Sequence, residues 1–381
     1  MNPKRVRFGS VATAQVPDVL VVFTVPPLPQ APMNCFARGE IITRLLNHLD
    51  GLGSAVLSGG VGIGKTTIAL TILHHDRVKA KFGDSRHFMR CDNLVNSLEA
   101  FLQQLSSGVG FIPPTQCMEQ LRPRLARRAP LLLVVDAVDR ALDPQAAESE
   151  KISTIIEEIC QYQNVSLLAT SRMAISMPGF RTIKVETLSR GGAHDTFYSL
   201  CHLDRSPAID ELIENLDFHP LSIDLLAKAA FGHEWDEPTL LREWGHGQIG
   251  LLRADNGQGL EAAIESALGS PTIKNLGPIA RKTLEAISAF PHGVEETSVG
   301  RRFPALDGVV EVVNVLCEFH LLDRRDGFVR ILSPFRSYFL DGALTIICVP
   351  GDEGDQNNTT TKEEEHDDDR CNGAPGGSSP D

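Results

Sequence analysis

The sequence lacks several features that would each mark a class of protein. Its eight cysteines are scattered, and no pair has the C-x-x-C spacing of a metal or redox site. Its unbroken apolar stretches are far below the ~20 residues that a membrane helix needs. We see no internal repeat at the periods of roughly 33–45 residues that solenoids and propellers have. We therefore expect no such metal site, no membrane span and no repeat array.

A basic surface is also missing. The net charge is −13, of which residues 351–381 carry −8, so the other 350 residues are near neutral at −5. This balance gives no electrostatic argument for binding nucleic acid. Several cysteines sit inside apolar runs, which suits reduced, buried thiols and a cytoplasmic protein. The apolar run at 19–25 follows Pro17 and Asp18 and is cut off by Pro26, so we do not interpret it as a secretion signal.

One loop carries most of the functional information. It matches the pattern G-x-x-x-x-G-K-[ST], in which glycines let backbone N–H groups point at phosphate oxygens. Lysine adds a positive charge for the β and γ phosphates, and the threonine hydroxyl is placed to bind Mg²⁺. The expected nucleotide-binding residues of this loop are Gly59, Gly60, Val61, Gly62, Ile63, Gly64, Lys65, Thr66 and Thr67.

The surroundings of the loop support this interpretation. Residues 54–58 are a short apolar run typical of a buried strand. Ile68, Ile72 and Leu73 follow the loop at helical spacing and predict a helix with one apolar face. A chance glycine-rich turn would not be expected between a strand and a helix, whose N-terminus itself favours an anion.

The chain then alternates between strand and helix patterns up to about residue 186. Further strands are predicted at 86–90, 131–135, 165–169 and 182–185, with helices at 94–105, 118–127 and 148–162. Alternation of this kind predicts an α/β fold, with a mostly parallel sheet and helices on both faces. After residue 189 amphipathic helices dominate, and the last of them precede two short apolar runs around Asp326-Gly327, a pattern typical of a winged helix.

These changes of pattern predict five segments. They are a linker over 1–34, a P-loop nucleotide-binding domain over 35–188, a helical domain over 189–270, a winged-helix domain over 271–345 and an acidic disordered tail over 346–381.

An acidic residue that binds Mg²⁺ is expected opposite the phosphate loop. The apolar run 131–135 ends in Asp136, which would emerge at the carboxyl end of its strand and hold Mg²⁺ with Thr66. The next residue is Ala137, so no carboxylate stands where it could orient water. Asp139 is the remaining catalytic candidate, and a helix cap or a solvated turn residue is an equal alternative.

A second catalytic candidate follows the apolar run 165–169. Arg172, the last residue of Thr170-Ser171-Arg172, could pair bidentately with the γ-phosphate. The alternative is a surface arginine in a loop. Lys65, Asp136, Asp139 and Arg172 therefore form the predicted catalytic set.

The order of these motifs resembles the NB-ARC/NACHT group of STAND nucleotide-binding switches, the NOD-like receptor family, and most of all the fungal NB-ARC proteins of mushrooms. The resemblance runs from about residue 36 to about 339. Phe36-Ala37-Arg38-Gly39-Glu40 resembles the family's F-x-G-R-E opening, and Thr170-Ser171-Arg172 its T-[TS]-R sensor. Phe218-His219-Pro220-Leu221-Ser222 is similar to the G-x-P-L-A motif, whose proline packs on adenine; Pro220 also suits the first position of a helix. The family's M-H-D histidine is not matched, since Ser333-Pro334 occupies that stretch.

The resemblance implies a switch that binds ADP or ATP with Mg²⁺. It further implies self-association in the ATP state or protein partners, at most slow ATP hydrolysis, and signalling of the kind used in innate immunity or heterokaryon recognition. Two alternatives stay open. One is an AAA+ or origin-recognition ATPase with a DNA-binding winged helix, although residues 275–345 hold eight bases against nine acids. The other is a degenerate nucleotide-binding scaffold without turnover.

Overall fold

The computed structural model describes residues 27–33, 35–91, 97–108, 118–126, 129–252 and 259–343. Most of the predicted linker, 1–34, and all of the predicted acidic tail, 346–381, lie outside the described residues.

A five-stranded parallel sheet forms the centre of the first half of the chain, as predicted. Its strands are β1 (Ser54–Ser58), β2 (Arg86–Arg90), β3 (Leu131–Asp136), β4 (Val165–Ser171) and β5 (Phe180–Lys184). Their spatial order is β2-β3-β4-β1-β5, and every neighbouring pair is parallel. All five carboxyl ends therefore meet at one edge, where open α/β sheets bind ligands.

Helices cover both faces of this sheet. They are α1 (Gly39–Asp50), α2 (Lys65–His74), α3 (Asp76–Phe82), α4 (Leu98–Gly108), α5 (Met118–Leu125) and α6 (Ser149–Cys160). Successive strand residues point to opposite faces: Leu57 and Val134 pack with α1 to α3, whereas Val56 and Val135 pack with α4 to α6. Burial on both sides explains why the central strands β1, β3 and β4 are mostly apolar, whereas the edge strands β2 and β5 carry several polar residues.

Helices dominate the chain beyond the sheet. They are α7 (Arg190–Leu200), α8 (Pro207–Asn215), α9 (Pro220–Gly232), α10 (Glu237–Leu251), α11 (Leu260–Leu268), α12 (Pro271–Asn275), α13 (Pro278–Ser288), α14 (Val299–Arg302), α15 (Val309–Glu318) and α16 (Ser333–Ala343). Several begin with a serine cap, since Ser189 and Ser206 accept hydrogen bonds from the first turns of α7 and α8.

The predicted hairpin is present near the end of the described chain. Strands β7 (Asp323–Arg325) and β8 (Phe328–Arg330) pair antiparallel, and β6 (Val294–Glu295) adds a third strand. Asp326 and Gly327 form the turn with φ of 53° and 81°, the left-handed conformations that a two-residue hairpin requires. Assignment of this region as a winged-helix domain stays a prediction.

A single hydrophobic cluster joins the helical region to the hairpin region. Its buried members run from Leu188 to Phe339, and Val61 of the phosphate loop belongs to it. The hydrophobic core of the helical and hairpin regions thus contacts the phosphate loop directly. Among the described residues, no helix is long and apolar enough to cross a membrane.

Candidate nucleotide-binding site

The loop between β1 and α2 has the backbone shape that its glycines predict. Gly62 and Gly64 have φ of 67° and 93°, values that residues with a Cβ rarely adopt. Helix α2 begins at Lys65, directly after the second of these glycines. Its first N–H groups and the positive end of its dipole therefore face the concave side of the loop, which favours a bound phosphate.

Lys65 is folded back onto the loop. Its Nζ donates hydrogen bonds of 2.7 Å to the carbonyl oxygens of Gly59 and Gly60, and the residue is 9% exposed. Burial lowers the pKa of Lys65 to about 8, and the nearby carboxylates of Asp139 and Asp136 partly oppose that shift. A bound phosphate would offer the ammonium group a stronger partner than two carbonyl oxygens.

Thr66 and Asp136 lie in direct contact, although 70 residues separate them. Oδ1 of Asp136 accepts hydrogen bonds from Oγ1 of Thr66 at 2.7 Å and from Oγ1 of Thr170 at 2.6 Å. Thr170 in turn accepts from the backbone N–H of Ala137 at 2.9 Å. The hydroxyl and carboxylate oxygens are the ligands that Mg²⁺ prefers, so this pair can hold the ion.

Asp139 and Arg172 form a buried ion pair. Oδ1 of Asp139 accepts from the backbone N–H of Arg172 at 3.0 Å, and Oδ2 accepts from its Nε at 2.8 Å. Their side chains are only 3% and 13% exposed. The structure thus rules out a solvated turn for Asp139 and a surface position for Arg172.

The same ion pair reaches the helical region. Nη1 of Arg172 donates to Oγ of Ser266 on α11 at 3.2 Å, and Arg140 also donates to Ser266. Nearby, fully buried Asp143 accepts hydrogen bonds from Thr272 at the start of α12. The short segment after β3 is therefore tied to α11 and α12 by polar contacts.

A cavity of about 660 Å³ opens in front of the loop and α2, a size suited to a nucleotide. Residues 62–67 form its floor, Phe36 and Arg38 one wall, and Pro220 and Leu221 of α9 another. Arg38 is held there by a 3.0 Å hydrogen bond from Nη2 to the carbonyl of Ile63, and burial lowers its pKa. Pro220 is the first residue of α9 and also lines the cavity, and its packing against adenine stays a prediction.

Histidine 219 joins the helical region to the loop, a role that the sequence analysis missed. Its Nε2 donates to the carbonyl of Val61 at 2.8 Å, while Nδ1 accepts at the first turn of α9, where Ser222 lies. Burial lowers the pKa of His219 to about 4, and the charges of Lys65 and Arg38 act in the same direction. The only available signal was a polar residue just before Pro220, which fits a helix cap.

Histidine 320 makes a second junction, on the other side of the loop, that the sequence analysis also missed. Its Nε2 lies 3.1 Å from Oγ of Ser58 at the end of β1. Its φ of 51° places it in the left-handed region, just before the hairpin. Burial lowers the pKa of His320 to about 4. Two neutral imidazoles, from different parts of the chain, thus flank the phosphate loop.

The residues present fit a nucleotide with Mg²⁺. A helix N-terminus, a buried lysine and a hydroxyl–carboxylate pair face a cavity with apolar walls. Elsewhere in the described ranges, no group of three or more His, Cys, Asp or Glu could hold a metal ion, and no disulfide joins the described cysteines.

Comparison with known proteins finds one family model that matches part of the chain. Residues 49–181 match the model of the AAA domain. The chain has the P-loop NTPase fold, shared with the Walker-type ATPase of Pyrococcus abyssi at 14% identity and a TM-score of 0.56, over 84% of this chain and 99% of that one. No curated protein matches the chain.

Two further solved structures are similar only at a low level. The STAND protein with a tetratricopeptide repeat sensor from Pyrococcus horikoshii has 12% identity and a TM-score of 0.34, over 83% of this chain and 43% of that one. The Orc1 protein of Aeropyrum pernix in complex with DNA has 17% identity and a TM-score of 0.38, over 83% and 94%. Scores this low support no inference, so the AAA domain match and the shared fold are what the comparisons establish.

Proposed function

We propose that this protein is a STAND-type molecular switch that binds ADP and ATP with Mg²⁺ and hydrolyses ATP slowly. One observation carries the proposal: the cavity in front of the P-loop is built from three separate parts of the chain. The segment before α1, the loop itself and α9 each supply a wall. A nucleotide between these walls would contact the AAA domain and the helical region at once, so its identity could control how they pack.

Each predicted site residue has a role in this proposal. The N–H groups of residues 62–67 and Nζ of Lys65 bind the phosphates, and Thr66 and Asp136 hold Mg²⁺. The Mg²⁺ ion neutralises charge between the β and γ phosphates when it is bound. Pro220 packs against the base.

The proposal also explains how a switch could sense the γ-phosphate. A ligand shifts an equilibrium only if it binds the two states differently. Arg172 is tied to Asp139 and to Ser266 of α11 in this conformation. A γ-phosphate that attracted Arg172 would weaken the contact with α11, and the AAA domain would loosen from the helical region.

Slow hydrolysis is expected because, in the part of the chain that the structure describes, no carboxylate near Asp136 is available to orient the attacking water. Ala137 stands in the next position, and the carboxylate of Asp139 is occupied by two hydrogen bonds from Arg172. Neither can orient a water molecule without rearrangement. We propose that retention of the nucleotide, rather than turnover, is the task of this site.

The remaining parts of the proposal concern organisation and partners. They are the five segments given above, self-association or a protein partner in the ATP state, a cytoplasmic location and no binding to nucleic acid. The AAA-type alternative with a DNA-binding C-terminal region makes an opposite prediction. Binding of the full chain to duplex DNA with a steep salt dependence would favour that alternative.

The test is the nucleotide that purifies with the protein. We expect the wild type to carry near-stoichiometric ADP, measured by chromatography after denaturation, and Lys65→Ala to carry almost none. Lys79→Ala is the matched control, because Lys79 is an exposed lysine on α3 paired with Asp76. Lys65→Ala with a full complement of ADP would overturn the proposal. The molecular mass in ADP and in a non-hydrolysable ATP analogue tests self-association.

A further inference from the structure

Arg90 occupies a place at the sheet edge that neither the sequence motifs nor the proposed roles use. It is the last residue of β2, and it lies opposite Asp136 in the register of β2 and β3. Because the strands are parallel, its side chain leaves the sheet at the same edge as the P-loop. Arg90 also lines the cavity, together with Thr66 and Thr67.

The contacts of Asp136 locate Arg90 relative to the expected metal. Oδ1 of Asp136 accepts from the hydroxyls of Thr66 and Thr170, whereas Oδ2 lies 3.7 Å from Nε of Arg90. A Mg²⁺ ion held by this hydroxyl and carboxylate would neutralise charge on the β and γ phosphates of a bound nucleotide. A guanidinium beside the same carboxylate is therefore close to the terminal phosphate and not to the base.

Arg172, which the Thr170-Ser171-Arg172 motif favours as the contact for the γ-phosphate, is placed differently from Arg90. Its backbone and side chain both donate to Asp139, and it is 13% exposed. Among the described residues, the cavity lining includes Arg90 but not Arg172. The side chain of Arg90 is 57% exposed and lies beside Asp136 at the cavity, so a phosphate bound there can contact its guanidinium while Asp136 keeps its hydrogen bonds from Thr66 and Thr170.

We propose that Arg90 is a specificity-determining residue that contacts the terminal phosphate of ATP and so makes the site distinguish ATP from ADP. A planar guanidinium can bind two phosphate oxygens at once, and ADP lacks the phosphate that Arg90 reaches. The inference rests on the proposed nucleotide-binding function and names one residue that sets its selectivity.

The experiment measures affinities by calorimetry with the full chain, freed of nucleotide, for ADP and for a non-hydrolysable ATP analogue in Mg²⁺. We expect Arg90→Ala to weaken binding of the analogue about tenfold and binding of ADP less than about twofold. Arg90→Lys keeps the charge but not the planar guanidinium. Its affinity for the analogue is expected to lie between those of the wild type and Arg90→Ala. Thermal unfolding checks that all variants are folded.

Arg122→Ala is the matched control. Arg122 is a half-exposed arginine on α5 that pairs with Glu158 and lies outside the lining of the cavity. Its removal should leave both affinities unchanged. The inference would be overturned if Arg90→Ala lowered the affinity for both nucleotides equally or changed neither affinity. An equal loss would mean that Arg90 acts only on Asp136. Failure of the wild type to bind either nucleotide would instead refute the proposed function.

Discussion

The contact between His219 and the phosphate loop makes the free energy of unfolding depend on pH, by an amount that follows from the pKa of His219. The imidazole is fully buried and donates through Nε2 to the carbonyl of Val61. Its Nδ1 accepts from the backbone N–H of Ser222, so a second ring proton would face a donor there. The neutral form is therefore the one that the fold accommodates.

The pKa of His219 falls from 6.5 to about 4 on folding, chiefly because of burial. The folded protein thus holds this proton less tightly than the unfolded chain, and falling pH favours unfolding. The stabilisation is present above pH 6.5 and is lost as the pH falls from there toward 4. Between pH 7 and pH 5 this one group lowers the free energy of unfolding by about 2 kcal/mol.

The assay is urea unfolding of the wild type and of His219→Asn at pH 7 and pH 5. Both tryptophans, Trp235 and Trp244, pack against the core that contains α9, so their fluorescence reports on this region. Asparagine caps a helix but does not titrate, so the variant should lose about 2 kcal/mol less than the wild type over this interval. Other histidines contribute equally to both proteins. Equal losses in the two proteins would refute the assignment of a buried, neutral His219.

Two further predictions concern neighbouring contacts. Gly62→Ala should weaken nucleotide binding at least tenfold and lower the melting temperature. The reason is that Gly62 has a φ of 67° and that a Cβ there would lie 2.8 Å from atoms of both His219 and Leu221. An unchanged ADP affinity in calorimetry would contradict this prediction. Asp143→Ala should destabilise the protein by about 2–4 kcal/mol, because it removes the buried acceptor of two hydrogen bonds from Thr272. Denaturant unfolding measures the second effect, and a loss below about 0.5 kcal/mol would show that the contact contributes little.

The sequence was sufficient for the parts of the fold that depend on local pattern. Each predicted strand is present, and for the central strands the reason is that a short apolar run between polar turns has few stable positions other than a sheet buried on both faces. Thr66 and Asp136 were expected to meet, since each follows a parallel strand and such strands end at one edge. The hairpin at Asp326-Gly327 was likewise marked by its turn residues.

The contacts between distant segments could not be predicted in the same way. A single histidine such as His219 or His320 carries no periodicity, and its partner is a backbone or hydroxyl oxygen that every stretch of chain offers. Nor could the sequence choose between a phosphate and Asp139 as the partner of Arg172. That choice depends on the distance between two loops, which only the packed structure fixes.

The two histidine contacts also bear on how the chain assembles. His219 and Val61 are 158 residues apart, and His320 and Ser58 are 262 residues apart. Closing loops of this length is slow and costs chain entropy before any contact forms. We therefore expect the sheet to form first and the phosphate loop to reach its final shape only after the last quarter of the described chain has docked. Nucleotide binding would then report on completed folding, and a fragment limited to residues 49–181 would bind nucleotide more weakly than the whole chain.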